Sequence, residues 1–269
     1  LAGQYIAIGA HSDHIGFRLS NPVEHDSLKA FMQIVRPQGA DNPRTPATPE
    51  QIEQVRAMTD SLRRTHGGPR LDSIANGADD DASGTVSALE IAEALVKGSV
   101  KPKRSLIFVW HAGEETGLWG AEWFTDHPTV PRDKIVADVT TDMSGRNGPE
   151  SGPDEVMVTP SHRHRMFSTI VQDAARLGER MGIAFTSGDK YYERSDHYNF
   201  AVKGIPVVFF CNGEHPDYHR PSDTADKLDG RKMERIARLA FTIGRHVANS
   251  QERPVLLGKR KDWDGEEAR

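Results

Sequence analysis

Gly84-Thr-Val-Ser-Ala-Leu-Glu-Ile-Ala-Glu-Ala-Leu-Val-Lys97, closed by Gly98, is followed shortly by Ser105-Leu-Ile-Phe-Val-Trp-His111. In the first stretch Val86, Leu89, Ala92 or Glu93, and Val96 recur at helical spacing, and Gly98 is a C-cap residue. The second stretch is apolar and rich in β-branched and aromatic residues, which predicts a strand. Reading outward, the same alternation continues. Gln4–Ala10, Lys134–Thr141, Glu155–Thr159 and Ile205–Cys211 read as strands, the last entered through Gly204. Arg163–Met181 and Arg231–Ala248 read as amphipathic helices. Strands alternating with helices predict an α/β sandwich built on a largely parallel sheet.

Residues 20–75 break the pattern, being polar and rich in Pro, Gly and Asp. Two helices are predicted within them. Asp26 is placed to cap one carrying Leu28, Phe31, Met32 and Val35 on a single face. Thr48-Pro49-Glu50-Gln51 is a capping box with proline at the first helical position. It opens a helix that lines up Ile52, Val55, Met58 or Thr59, and Leu62, and that Gly67-Gly68-Pro69 stops. We read 20–75 as a helical insertion in one catalytic domain, 1–250, and 251–269 as a loose, charged C-terminal tail.

The chain has 269 residues, of which 36% are hydrophobic and 27% charged, enough to bury a full core. No window reaches the roughly 18 consecutive apolar residues of a spanning helix, so membrane insertion is not expected. A net charge of -5 does not favour capture of nucleic acid. A single cysteine, Cys211, excludes an intrachain disulfide and a cysteine-based zinc cluster. The chain opens at Leu1 without a charged leader, and a core strand begins almost at once. That predicts sequence upstream of Leu1 in the whole protein.

Five segments at predicted strand ends carry chemistry. They are His11-Ser12-Asp13, Ala78-Asp79-Asp80-Asp81, His111-Ala-Gly-Glu114-Glu115, Thr141-Asp142-Met143 and Asp217-Tyr218-His219. Functional groups collect at the carboxyl ends of strands in open α/β sheets. Imidazole and carboxylate together suit Zn²⁺, with Mn²⁺ or Co²⁺ as substitutes. Singly, each segment reads better as a cap, an acidic turn, a solvated pair or an ordinary surface or core histidine. Asp13 lies two residues after His11, on the same face of a strand, where its carboxylate can accept the second ring N–H of His11.

Together, Ala10-His-Ser-Asp-His-Ile-Gly16, Gly77-Ala-Asp-Asp-Asp-Ala-Ser-Gly84, the run 111–124 from His111 to Phe124, Thr140-Thr-Asp-Met-Ser-Gly145, Glu193-Arg-Ser-Asp-His-Tyr-Asn-Phe200, Lys203–Phe210 and Asp217–Asp229 resemble the di-zinc aminopeptidases. Glutamate carboxypeptidase and the glutaminyl cyclases are more distant relatives of that family. The motifs run in family order and cover nearly all of the chain except 17–76 and the tail. The resemblance implies a three-layer sandwich with a central mixed, mostly parallel sheet. It implies two Zn²⁺, one held by His11, Asp80 and Asp142 and the other by Asp80, Glu115 and His219. It implies Glu114 as general base and a cis peptide after Asp80. Tyr218 is a candidate to stabilise the oxyanion, or else a core tyrosine. Arg194 is a candidate contact for the substrate backbone, and Asp196 and His197 are read as capping the next helix. Trp119, Met143 and Tyr192 are candidates for a pocket wall or for ordinary core.

The expected activity is release of N-terminal residues from peptides with a free N-terminus, in a secreted, periplasmic or cell-envelope setting. A carboxypeptidase for acidic C-termini, a dipeptidase, and a metal-free receptor-like domain are the alternatives. A glutaminyl cyclase, needing one zinc, fits the full ligand set less well.

Overall fold

The computed structural model of the chain describes residues 1–17, 22–37, 45–99, 101–148 and 150–258. Six strands form the central sheet: β1 (Tyr5–His11), β2 (Ser105–His111), β3 (Ile135–Thr141), β4 (Glu155–Thr159), β5 (Ala184–Ser187) and β6 (Val207–Cys211). Their order is β2-β1-β3-β6-β4-β5. The first four in that order are mutually parallel; β4 runs antiparallel to β6, and β5 is parallel to β4. The register pairs His11 with His111 at the carboxyl ends of β1 and β2.

Among the described residues there are seven α-helices: α1 (His25–Val35), α2 (Pro49–His66), α3 (Gly84–Lys97), α4 (Trp119–Asp126), α5 (Thr169–Arg180), α6 (His197–Val202) and α7 (Gly230–Asn249). On one face, α3, α5 and α7 cover a core that includes Ile6, Ile8, Val139, Phe210, Leu239 and Ile243, all essentially inaccessible to solvent. Each such side chain contributes about 1.5–3 kcal/mol through burial. On the other face, α4 and α6 close over Ala7, Ile135, Phe200 and Val207. This is the expected three-layer sandwich with a mixed, mostly parallel sheet.

The buried side of α3 differs from the sequence reading. Ser87, Ala88 and Ile91 face inward, whereas Val86, Leu89 and Val96 are exposed. The helix start is drawn tightly onto the sheet, so small residues occupy the contact. A Cβ on Gly84 would lie 2.3 Å from the Thr141 carbonyl oxygen. The helix starting at 163 shortens to α5, because Ser161 and its neighbours fold around Asp189 instead. Asp189 accepts hydrogen bonds from Thr159 Oγ1, Ser161 N and Ser161 Oγ at 2.6–2.9 Å.

The 20–75 segment contains the two predicted helices, packed on each other; residues 20–21 and 38–44 lie outside the described residues. The Thr48–Gln51 capping box is present, and Gly67 closes α2 in the left-handed conformation. The α1 cap is Glu24, whose carboxylate accepts from Ser27 N at 2.8 Å. Asp26 is instead buried and paired with Arg70 at 2.7 Å. The segment after α7 is not loose through 258. Thr169 N donates to the Val255 carbonyl at 3.0 Å, and Leu257 N donates to the Phe167 carbonyl at 2.7 Å. Residues 259–269 lie outside the described residues.

Candidate metal centre and active site

Four parallel strands deliver their ends to one place. His11 terminates β1, Glu114 and Glu115 follow β2, Asp142 follows β3, and β6 leads into the loop carrying Tyr218 and His219. Asp80 enters from the turn before α3. The structure brings all five expected ligands and Glu114 together. His11 Nε2 lies 3.2 Å from Asp80 Oδ1 and 3.6 Å from Asp142 Oδ1. His219 Nε2 lies 3.0 Å from both Asp80 Oδ2 and Glu115 Oε2. Asp80 thus reaches toward one imidazole with each oxygen. Ligands held about 2.0–2.2 Å from a shared tetrahedral ion stand about 3.3–3.6 Å apart. These imidazole and carboxylate donors are of the kind and spacing that can hold zinc. His11 Nε2 and Asp142 Oδ1 are buried and make no hydrogen bond in this arrangement. Buried polar atoms are rarely left so unless something else meets them.

The peptide between Asp80 and Asp81 is cis, as the resemblance implied. Asp81 also lies close to His11 and Asp142. Its oxygens, however, are taken up by the backbone N–H groups of His11 (3.0 Å), Gly84 (3.0 Å) and Met143 (3.2 Å). Asp81 thereby pins the end of β1, the start of α3 and the turn after β3 to one carboxylate, and Asp80 is left for the centre. The Asp80 backbone is anchored in turn by Asp223, which accepts from Asp79 N at 2.9 Å and Asp80 N at 3.4 Å.

Electrostatics follow from many acids and few cations in a buried site. Burial alone depresses the His11 imidazole, but the surrounding carboxylates, Asp142 foremost, outweigh it and raise its pKa. His219 is likewise lowered by burial, then raised to about 9 by Asp80 and Glu115. Burial pushes Glu114 up to about 9, with repulsion from Asp142 adding to it. Asp142 is raised by burial against the opposing pull of His11. This surplus of negative charge is what a bound cation relieves.

Two supports differ in detail from the sequence reading. The outer nitrogen of His11 meets the backbone carbonyl of Asp13 at 3.1 Å, while the Asp13 carboxylate is 3.8 Å away. That carboxylate instead accepts the Glu114 backbone N–H at 3.2 Å. Asp196 starts α6 without a side-chain cap; its carboxylate is buried, which pushes it up to about 8. Its neighbour Ser195 donates to Asp142 Oδ2 at 2.8 Å.

A cleft opens beside the centre, lined by Met143, Tyr191, Phe209, Cys211, Glu214 and Tyr218, among others. Of the three candidate wall residues only Met143 lies there. Trp119 is 63% exposed and Tyr192 packs in the core beneath α6. Tyr218 stacks on His219 with ring centroids 3.7 Å apart. Arg194 reaches Glu214 at 2.7 Å and the Tyr218 hydroxyl at 3.3 Å. His14 also stands in the site, with Nδ1 2.6 Å from Glu115 Oε1. Its spacing of three from His11 puts it off the strand face, so strand periodicity alone does not reveal it.

The profile of peptidase family M28 matches residues 2–243. A probable leucine aminopeptidase of Trichophyton verrucosum is 28% identical over 236 residues, covering 84% of this chain and 60% of that protein. Leupeptin-inactivating enzyme 1 of Streptomyces exfoliatus is 32% identical over 166 residues, covering 61% of this chain and 35% of that protein. The LapA aminopeptidase structure from Legionella pneumophila superposes with a TM-score of 0.61 at 22% identity, covering 93% of this chain and 52% of that one. The chain thus spans 60% or less of the length of these relatives.

Proposed function

The chain belongs to peptidase family M28, and from that membership we propose that it is a zinc-dependent aminopeptidase acting on peptides with a free N-terminus. The observation that carries the reading is the convergence of His11, Asp80, Glu115, Asp142 and His219, with donor atoms 3.0–3.6 Å apart and Glu114 beside them. In this reading His11, Asp80 and Asp142 hold one zinc, and Asp80, Glu115 and His219 hold a second. Mn²⁺ or Co²⁺ can substitute. The aminopeptidase names of the relatives point the same way.

Bound zinc supplies an acidified water and a polarised carbonyl. The chain's own residues supply the rest. Glu114 is the proton carrier: it takes the proton of the attacking water and hands it to the leaving amine as the C–N bond breaks. Asp13 holds the Glu114 backbone, and Ser195 fixes the rotamer of Asp142. The Tyr218 phenol is raised above its ordinary pKa, chiefly by burial and then by Asp80, so it remains a hydrogen-bond donor for the developing oxyanion.

The cleft favours an amine over a carboxylate. Asp80, Glu114, Glu115, Asp142 and Glu214 line it, and among the described lining residues Arg194 is the one lysine or arginine. A C-terminal carboxylate would need Arg194, which is engaged by Glu214. The test compares a peptide with a free N-terminus against its N-acetylated form. The reading predicts cleavage of the first residue from the free peptide only. Equal cleavage of both, or release from the C-terminal end, would contradict it.

A further inference from the structure

His219 stands at the third position of a four-residue turn, Asp217–Arg220, in which the Arg220 N–H donates to the Asp217 carbonyl at 3.0 Å. Its φ is +56°, in the left-handed region that glycine or asparagine usually supplies at such a position. A residue with a Cβ stays in that region only where its surroundings hold the backbone. Here the hold is on Asp217, at the start of the turn. Its buried carboxylate meets two cations, Arg146 Nη2 at 2.9 Å and Lys227 Nζ at 2.7 Å. Arg146 reaches further than Lys227. Its Nη1 stands 3.5 Å from Asp223 Oδ1, and the other oxygen of Asp223 accepts the backbone N–H groups of Asp79 and Asp80. Arg146 itself lies four residues beyond Asp142, just after Gly145, whose N–H donates to Asp79 Oδ1 at 2.6 Å. One guanidinium thus spans the supports of Asp80, Asp142 and His219, which sit on three separate segments.

We propose that Arg146 is a positioning residue for the metal centre. It sets Asp217 and Asp223 relative to each other, and through them it sets His219 relative to Asp80. A planar fork of donors can face two carboxylates at once, which the point charge of a lysine cannot do. Without the fork, two buried carboxylates, Asp217 and Asp223, share one remaining cation, Lys227, which meets only Asp217. An uncompensated buried charge is costly, and the two segments then move to relieve it. Arg146 is not among the residues that line the cleft, so it acts on the ligands and not on the substrate. The proposal rests on the zinc reading above.

The test is chelator competition for zinc on wild type, Arg146→Met and Arg146→Lys, with melting of the metal-free proteins to show that each variant folds. Arg146→Met should bind zinc roughly 10–100-fold more weakly, the scale on which partners behind the ligands act. Arg146→Lys keeps the charge but meets one carboxylate, so it should recover part of that loss. The visible absorption of the cobalt-loaded chain should change in Arg146→Met, because the ligands are displaced. In zinc-loaded protein kcat should fall with KM nearly unchanged. A role in stability alone would lower the melting temperature and leave zinc affinity and the cobalt spectrum as in wild type. That result in a folded variant would overturn the role of Arg146 and leave the peptidase reading standing. Should Arg146→Met fail to fold, Arg146→Lys decides by the same criterion. A wild-type chain that takes up no zinc would overturn both.

Discussion

Glu114 and Glu115 are neighbours at the end of β2, yet their surroundings separate them. Burial would raise both, but the His14 and His219 imidazoles hold Glu115 below its ordinary value, while Asp142 adds to the rise of Glu114. One carboxylate suits a cation and the other suits a proton. Glu114→Gln should therefore lower kcat by about 10²–10⁴ with zinc content unchanged, as steady-state rates and metal analysis would show. Preserved turnover would contradict the assignment. A second prediction concerns His197, fully buried and stacked on Phe209 with centroids 4.1 Å apart. Burial pushes it down to about 3. Its folded pKa is below its unfolded one, so the unfolded chain takes the proton first as pH falls. The folded state is unaffected above about 6.5 and loses up to about 1.4 kcal/mol per pH unit from there down to about 3. Urea unfolding between pH 7 and 5 should show a shallower decline for His197→Phe, and parallel declines would refute this origin. At this scale the sequence was legible where the motif was long, in that His11, Asp80 and Glu115 do come together at the strand ends. It was not legible where roles depend on the backbone path, as with the switch of Asp13 from His11 to the Glu114 amide.

The elements repeat that contrast. β1, β2 and β4 were legible to within a residue, because each is a largely apolar run, buried in β1 and β4 and half-buried in β2. α4 and β5 were not. Both tryptophans of α4, Trp119 and Trp123, face solvent while Phe124 packs inward, and β5 is a four-residue edge strand without a fully buried residue. On α3 the apolar periodicity marks the solvent side, since Gly84 and Ala88 are needed for close approach to the sheet. Arg104 tests how α7 is held. It is buried, and its guanidinium donates to the carbonyls of Val247 and Ser250 at 2.6 Å. Arg104→Met should cost on the order of 3 kcal/mol through the orphaned helix-end acceptors. Denaturant titration would measure this, and a loss below about 0.5 kcal/mol would mean that the end of α7 is secured otherwise. For α1 and α2 we propose a flap that limits the length of peptide admitted. Where the insertion returns to the body, Asn76 donates to the Pro221 carbonyl at 2.6 Å, two residues beyond His219. Deleting 24–66 should raise the rate on a hexapeptide relative to a dipeptide, and an unchanged ratio would make the hairpin a peripheral feature.

Across the whole molecule, residues from His11 to His219 meet because β1, β2, β3 and β6 run in one direction and end on one edge. The buried carboxylates gathered there make the metal-free fold pay an electrostatic cost that zinc removes. At zinc concentrations near a hundred times Kd, binding adds about 2.7 kcal/mol, which for a chain of this size is roughly 5–10 °C in Tm. Chelation should lower the melting temperature by that amount, and melting independent of zinc would argue that the acids are neutralised by protons alone. The most direct measurement is metal content paired with hydrolysis of a leucyl anilide, before chelation, after it, and after zinc is restored. The expected result is two zincs per chain, loss of release on chelation and its return with zinc. Undiminished release from metal-free protein, or a chain that takes up no zinc, would contradict the metallopeptidase assignment.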